Sequence, residues 1–227
     1  ARPDLLQMLL DSRDDDGQPM NERQLRDELV TLLVAGHETV ASALTWAWAL
    51  LAQHPAAAER VAAEATADVV ADGLDPRALP FTAAVFDEAL RLYPPAWLIT
   101  RKAIADDALG DTAVPTGSLV IISPYVAHRR ADRWPEPEAF RPERFIDAAP
   151  QRFAYLPFGA GPRLCIGQGF ARIEGTLILS ALARRLRLDL TPAGVPAVEP
   201  LVTLRPHGGL KLRVSPRPAA ARSIIEE

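Results

Sequence analysis

The chain has 227 residues, of which 48% are hydrophobic, so it is long and apolar enough to bury a sizeable core. Its formal net charge of −4 gives no indication of nucleic-acid binding. A single cysteine excludes an internal disulfide framework. The sequence shows no signal or transit peptide and begins with Ala1 rather than an initiator Met, so we expect a fragment of a longer chain.

The N-terminal part of the chain predicts helices. Residues 4–12 predict a short amphipathic helix, residues 13–19 a polar loop, and Asn21 an N-cap for a long helix that ends near Gln53. Residues 29–52 are almost wholly apolar, so hydropathy alone would permit a membrane span. The adjacent ionisable residues His37 and Glu38 favour a core helix instead. An alanine-rich helix at 56–70 and a turn at 72–76 follow.

The next helix spans residues 80–93 and ends before Pro94. It carries Glu88 and Arg91, which lie three residues apart and can pair on one helix face. Further on, the pattern predicts the following elements: strands at 97–101 and 119–123, turns at 110 and 115–117, an irregular proline-rich meander at 132–150, a helix at 168–188, a hairpin at 198–214 that turns at 206–209, and a disordered tail at 215–227.

Residues 158–167, hereafter the cysteine loop, read Phe-Gly-Ala-Gly-Pro-Arg-Leu-Cys-Ile-Gly and contain the only cysteine. A lone cysteine is most often a small buried hydrophobe. Here the glycines suit tight turns and the close approach of a flat ligand, and N–H groups at the start of the following helix would stabilise a thiolate. Cys165 on such a loop can serve as the axial ligand of haem iron.

A second motif, Ala-Gly-His-Glu-Thr at residues 35–39, lies inside the long helix. A zinc helix that starts with His37 and Glu38 would need a second histidine at position 41, which is Ala41. Gly36 would weaken the helix locally and open a groove. The Thr39 hydroxyl could hydrogen-bond in that groove, and the Glu38 carboxyl could relay protons. These residues alone leave open a threonine bonded to its own helix and a solvated or ion-paired glutamate.

The cysteine loop matches Phe-x-x-Gly-x-Arg-x-Cys-x-Gly, and from about residue 4 to residue 214 the chain resembles the cytochrome P450 superfamily. The resemblance implies a mainly α fold with a small β portion, formed by the C-terminal half of one P450 domain at 1–214. That half comprises a long central helix, a Glu-x-x-Arg helix, a small sheet, a meander, and the cysteine loop with its helix. The implied cofactor is haem b with Cys165 as the iron ligand; the other residues implied to bind it are Phe158, Gly159, Gly161, Gly167, Arg163, Arg101, Ala35, Gly36 and His128.

The resemblance also implies roles away from the cysteine. Glu38 and Thr39 match an acid–alcohol pair that supplies protons for O–O cleavage. Glu88 and Arg91, with Arg144 of a Pro-Glu-Arg-Phe segment, match a structural ion-pair network. Arg101 and Arg163 match arginines that bind haem propionates, although Arg101 alone would also suit a surface strand edge. The implied substrate pocket contains Leu32, Ala35, Ala96, Trp97, Leu98, Ile99, Leu201 and Val202.

The implied function is a haem-thiolate monooxygenase of secondary metabolism, which inserts one atom of O2 into a hydrophobic molecule such as a terpenoid, fatty acid, macrolide or polyketide. The chain carries no flavin or dinucleotide motif, so electrons from NAD(P)H would arrive through a redox partner such as ferredoxin with its reductase. The arginines 133, 163 and 172 could form part of its docking face.

Three alternatives remain open: a peroxide-dependent or isomerising haem-thiolate enzyme, a non-catalytic haem-binding protein, and a helical interaction or membrane module without haem. A soluble, cytoplasmic protein is expected unless an anchor lies in the missing N-terminal half.

Overall fold

The structure is a computed structural model that describes residues 4–65 and 76–217. The chain forms two compact units, Ala1–Thr39 and Val40–Glu227, and the boundary between them falls inside a helix. The described residues form helices and four small antiparallel sheets of two strands each, which confirms the predicted mainly α class with a small β portion.

The first unit contains helix α1 (Leu5–Asp11) and the start of helix α2 (Glu22–Gln53). The Asp4 side chain caps α1 by accepting from the backbone N–H of Gln7 at 2.9 Å. Asn21 and Gln24 cap α2 reciprocally, since each side-chain oxygen accepts from the other residue's backbone N–H, at 2.9 and 3.0 Å. The predicted N-cap is therefore confirmed. Within residues 4–39 no side chain is buried.

The second unit is built on helices. It contains the rest of α2 and the helices α3 (Pro55–Glu64), α4 (Pro80–Leu92), α5 (Pro124–Ala127), α6 (Arg144–Asp147) and α7 (Gln168–Arg185). The core lies where α2, α3, α4 and α7 meet, and includes Leu51, Val61, Phe86 and Leu179, all 1% exposed or less. A Cβ at Gly175 of α7 would lie 2.4 Å from the Phe86 ring, so the approach of α7 to α4 requires glycine there.

Each sheet pairs two strands in antiparallel fashion. The pairs are β1 (Ile99–Lys102) with β4 (Leu119–Ile122), β2 (Asp107–Leu109) with β3 (Thr112–Val114), β5 (Leu186–Leu190) with β8 (Leu212–Pro216), and β6 (Val198–Pro200) with β7 (Leu204–Pro206). Buried Leu204 joins the last pair to the core, because its carbonyl accepts from Ser42 Oγ at 2.7 Å and from Trp46 Nε1 at 3.0 Å.

Several predicted boundaries are wrong. Helix α7 ends at Arg185 rather than 188, since the chain enters β5 directly. The predicted hairpin does not turn at 206–209; β6 and β7 pair around residues 201–203, and the last strand pairs with distant β5. Residues 215 and 216, predicted to be disordered, belong to β8, and the tail at 218–227 lies outside the described residues. Helix α3 ends at Glu64, and the prediction for residues 66–75 also lies outside them.

Helix α2 is long and apolar enough to cross a membrane, by length and composition only, with a mean hydropathy of 1.2 in its most apolar window. From Val40 onward, however, many of its side chains are buried against the rest of the second unit; Ala47 and Leu51 are 0% and 1% exposed. Burial of this part of the helix supports the core-helix interpretation.

Candidate functional site

Cys165 is exposed in the loop that leads into α7. Its backbone N–H donates to the Phe158 carbonyl at 3.0 Å, and its carbonyl accepts from the Gln168 N–H at 3.3 Å. Between them, the Leu164 N–H donates to the Gly161 carbonyl at 3.0 Å. The cysteine loop is thus closed by its own backbone hydrogen bonds, and the thiol remains accessible.

Two glycines of the loop are required by its backbone. Gly159 and Gly161 have φ of 75° and 72°, a conformation that side chains other than glycine rarely adopt. A Cβ at Gly159 would lie 3.7 Å from Cδ1 of Ile99, so strand β1 lies against the loop. Gly167 has an ordinary φ of −82°. Its Cβ would lie 3.8 Å from the sulfur of Cys165, so glycine here keeps space open beside the thiol.

Two arginines near the loop lack carboxylate partners among the described residues. Arg163 is exposed and makes no hydrogen bond or ion pair within residues 4–65 and 76–217. Arg101 is also exposed, and its Nη1 donates only to the neighbouring Thr100 carbonyl, at 2.9 Å. Because strand residues alternate, Arg101 shares the face of β1 with Ile99, which lies against the loop. Both guanidinium groups can therefore receive carboxylates.

The structure brings together part of the predicted substrate pocket. Trp97 Nε1 donates to the Leu201 carbonyl at 2.9 Å, which joins the segment before β1 to the turn between β6 and β7. Leu98, Leu201 and Val202 are 39%, 48% and 92% exposed, and Ala96 is exposed as well. These residues form an apolar edge of the second unit, continuous along β1 with Ile99 at the cysteine loop.

The remaining predicted pocket and oxygen-site residues lie in the first unit, on α2. Leu32 is half-buried and Ala35 exposed. The helix is continuous through Gly36, where a Cβ would meet nothing within 4 Å, so the predicted local weakening is not seen. The Thr39 hydroxyl donates to the Ala35 carbonyl at 2.7 Å, which is the internal bond that the sequence left as an alternative. Glu38, also on α2, is exposed.

The predicted network of Glu88, Arg91 and Arg144, hereafter the Glu88 network, forms on α4. Glu88 and Arg91 are fully buried, with Nε–Oε2 and Nη2–Oε1 distances of 2.7 and 2.8 Å. Arg144 Nε lies 3.3 Å from Glu88 Oε1, which also accepts from the Arg141 N–H at 2.9 Å. Arg91 further donates to the carbonyls of residues 128, 137 and 139. Because a buried charge is tolerated only when fully paired, the network fixes the meander on α4.

A sequence model of the cytochrome P450 family matches residues 1–212 of the chain. The chain belongs to the cytochrome P450 family. It is 42% identical to cyclooctatin synthase of Streptomyces melanosporofaciens, over 95% of the chain and 48% of that protein. It is 36% identical to pentalenene oxygenase of Streptomyces avermitilis, over 95% of the chain and 49% of that protein.

Solved P450 structures show the same fold. A six-coordinated cytochrome P450 from Thermus thermophilus superimposes with a TM-score of 0.73 at 46% identity, over 88% of the chain and 49% of that structure. The P450 chain described here therefore spans about half the length of the relatives it matches.

Cytochromes P450 hold haem with a cysteine thiolate on its iron. The P450 chain fits this cofactor in three respects: its one cysteine is exposed, glycine leaves space beside the sulfur, and two guanidinium groups without carboxylate partners in the described residues lie on or beside the loop. The thiolate suits iron, and the open glycine backbone suits a flat macrocycle. The arginine guanidinium groups suit the propionates.

The cofactor-binding role predicted for His128 is wrong. His128 is fully buried, and both its ring nitrogens are taken by backbone groups. Nε2 accepts from the Leu156 N–H at 2.7 Å, so Nδ1 carries the proton and donates to the Arg91 carbonyl at 3.1 Å. Burial lowers the pKa of His128 from 6.5 to about 4, which keeps the ring neutral at neutral pH. His128 instead joins the chain just before the cysteine loop to α4.

Sequence reasoning missed a second polar cluster on α4, hereafter the Asp87 cluster, formed by Asp87, Tyr155 and Arg172. Tyr155 Oη lies 2.8 Å from the Asp87 carbonyl oxygen and 3.0 Å from Asp87 Oδ1, so its one proton is shared between these acceptors. Arg172 Nε donates to the same Oδ1 at 3.0 Å. Burial raises the pKa of Asp87, and the Arg172 charge opposes that shift. Asp87 precedes Glu88 directly, but its partners lie 68 and 85 residues away, so no local spacing indicates them.

The Asp87 cluster also changes the docking prediction for Arg172. Its guanidinium is bonded to Asp87 and its side chain is only 38% exposed. Arg133 is 49% exposed, with Nη1 donating to Gln151 Oε1 at 2.6 Å and Nε 3.4 Å from Asp132. Of the arginines predicted to meet a redox partner, Arg163 is thus the one without a partner among the described residues.

Proposed function

We propose that the protein is a haem-thiolate monooxygenase in which Cys165 supplies the thiolate that binds the iron. The observation that carries the proposal is the accessible cysteine on a self-closed, glycine-dependent loop. When bound, haem supplies oxygen chemistry, by which one atom of O2 enters a C–H or C=C bond and the other leaves as water. The family match and the relatives' names support this class of reaction.

Arg101 and Arg163 are proposed to bind the two propionates. Arg163 is fixed close to the thiolate by the 3₁₀ turn Gly161–Arg163, and Arg101 extends from the strand that lies against Gly159. A guanidinium fork pairs with a carboxylate through two parallel hydrogen bonds, so each arginine would orient as well as attract its propionate.

Glu38 and Thr39 are proposed to move protons toward the reacting oxygen. The Thr39 hydroxyl has one donor and two acceptor positions, and its donor is held by the Ala35 carbonyl at 2.7 Å. Rotation about χ1 would turn the same proton away from the helix, and the adjacent carboxyl of Glu38 would replace it. If Thr39→Ala left oxygen-driven, NADPH-coupled turnover intact, this relay role would be wrong.

The proposed substrate is a hydrophobic small molecule, with a terpenoid as the first class to test. The apolar edge formed by Leu98, Leu201 and Val202 offers contacts to hydrocarbon and few to polar groups. Relatives named pentalenene oxygenase and cyclooctatin synthase point to the same kind of molecule. Ile99 at the cysteine loop would bring such a substrate close to the haem.

The protein is proposed to be soluble and cytoplasmic. Electrons are proposed to come from NAD(P)H through a separate redox partner, such as ferredoxin with its reductase. Arg133 is the exposed cation that an acidic partner would meet, since Arg163 is proposed to hold a propionate. Charge reversal in Arg133→Glu tests the docking role without touching the proposed propionate site. An unchanged rate of haem reduction by the partner would remove Arg133 from the docking face.

The first experiment is the CO difference spectrum of the reduced full-length protein beside a Cys165→Ser variant. A strongly red-shifted Soret band that vanishes in the variant would establish thiolate-ligated haem. Absence of any haem band in folded, haem-supplied wild-type protein would overturn the proposal and leave the interaction module as the best interpretation.

A further inference from the structure

The cysteine loop closes on itself, but its position on the rest of the protein depends on side chains at its two ends. Tyr155 lies three residues before Phe158, where the loop begins, and Arg172 lies seven residues after Cys165, on α7. Both side chains bond to one residue of α4, because Tyr155 Oη and Arg172 Nε lie 3.0 Å from the same Asp87 oxygen. The carboxylate of Asp87 therefore joins the entrance of the loop to its exit.

The backbone places these groups together. Gly175 and Arg172 lie three residues apart on α7 and share a face, while Phe86 and Asp87 are neighbours on α4. Because a Cβ at Gly175 would lie 2.4 Å from Phe86, only glycine allows the helices to approach this closely. The approach brings Arg172 within reach of Asp87, and the Arg172 guanidinium carbon also lies 5.5 Å from the centre of the Phe158 ring.

We propose that Asp87, Tyr155 and Arg172 are positioning residues that hold both ends of the cysteine loop on α4 and thereby keep the Cys165 thiolate where it binds iron. This inference rests on the proposed haem-thiolate function. The three residues act through the loop, without contact to substrate. The side chain of Asp87 is 17% exposed and that of Arg172 38%, so the carboxylate is mostly shielded from solvent while part of the guanidinium remains accessible.

The test uses the full-length, haem-loaded protein and follows the reduced CO complex as it changes from the thiolate-ligated spectrum to the spectrum without thiolate. Tyr155→Phe removes only the hydroxyl, and Arg172→Gln removes the charge while keeping a polar side chain. We expect the conversion to become about tenfold faster in Arg172→Gln, equivalent to about 1.4 kcal/mol, and several-fold faster in Tyr155→Phe. Arg172→Lys, which keeps the charge and can still donate to Asp87 but lacks the planar guanidinium, should behave more like the wild type than Arg172→Gln does.

A core variant separates positioning from general stability. Val61→Ala removes buried methyl groups from α3, and Val61 belongs to neither the loop nor the Asp87 cluster. It should lower the urea midpoint of unfolding without accelerating loss of the thiolate spectrum in the absence of urea. Suppose instead that Val61→Ala and Arg172→Gln lowered the urea midpoint equally and accelerated loss of the thiolate spectrum equally. The Asp87 cluster would then contribute only to general stability, and the proposal would be overturned.

The remaining outcomes are distinguishable. If wild-type protein never shows a thiolate-ligated spectrum, the proposed function itself fails. If wild-type protein shows it and both Tyr155→Phe and Arg172→Gln lose it at the wild-type rate, the proposed function stands and the positioning role is wrong.

Discussion

The Glu88 network and the cysteine loop lie in the same unit of the molecule, but they differ in how far the protein satisfies their polar groups. Arg91 makes five hydrogen bonds, to Glu88 and to three backbone carbonyls, so all of the N–H groups of its guanidinium can be engaged inside the protein. Arg163 and Cys165 are exposed, and Arg163 has no partner within the described parts of the chain.

This difference separates residues that build the site from residues that would act in it. A buried polar group whose bonding capacity is filled by the protein has nothing left to offer a ligand, and removing one partner leaves an uncompensated charge. An exposed group on a fixed loop adds little to stability and keeps its capacity for a cofactor. The comparison predicts large stability effects around Glu88 and small ones on the loop.

The largest effect is expected for Arg91→Lys. Lysine keeps the charge but cannot reproduce the five bonds of the guanidinium, and Glu88 would remain buried with weaker pairing. We expect a loss of about 3–5 kcal/mol in the free energy of unfolding, measured by urea denaturation of the full-length protein. A loss below about 1 kcal/mol would show that the network tolerates partial pairing and would remove the contrast with the loop.

The second effect is a dependence of stability on pH that comes from His128. The folded state holds its pKa at about 4, against 6.5 for an ordinary histidine, so the unfolded state binds the proton more tightly between these values. The contribution of neutral His128 to the free energy of unfolding is therefore complete above pH 6.5 and is lost as the pH falls through 4. Its full size is about 3 kcal/mol.

His128→Gln provides the comparison for this prediction. The variant should be less stable at pH 7, but its urea midpoint should fall less between pH 7 and pH 4.5 than that of the wild type. The raised pKa of Asp87 acts in the opposite direction, since its protonation favours the folded state, but it is common to both proteins and cancels in the difference. Equal pH slopes would mean that His128 is not held neutral by burial.

The third effect tests the approach of α7 to α4. Gly175→Ala would place a methyl group 2.4 Å from Phe86, and we expect a loss of about 1–3 kcal/mol from overpacking, measured by urea denaturation. Gly169→Ala on the same helix is the matched control, because its Cβ would meet nothing within 4 Å. The control should keep or gain stability, by up to about 1 kcal/mol. Equal losses in both variants would contradict the close contact.

The two regions also differ in how far the sequence predicts them. The cysteine loop and the Glu88–Arg91 pair are local patterns, in which spacing along the chain sets spacing in the structure. The role of His128 and the Asp87 cluster depends on partners 28 to 85 residues away. Strands β5 and β8 also pair over a long separation, 22 to 30 residues along the chain. No local pattern indicated that pairing, so a hairpin at 198–214 was predicted instead. Local chemistry was therefore predictable, whereas distant pairing required the folded chain.

The smallest effect on stability is expected on the loop itself, for Arg163→Gln. Because Arg163 is exposed and has no partner among the described residues, its replacement should change the free energy of unfolding of the haem-free protein by no more than about 0.5 kcal/mol. A propionate bonded to this guanidinium would contribute about 1.5–3 kcal/mol to haem binding, so haem should dissociate from the variant about tenfold faster or more. Haem loss is measured by its transfer to an acceptor protein. Arg187→Gln is the control, at an exposed position of β5 outside the cysteine loop. Its ion pair with Asp189 is exposed and contributes little, so neither quantity should change appreciably. Unchanged haem loss in Arg163→Gln would show that an unpartnered arginine beside the thiolate is only a surface charge.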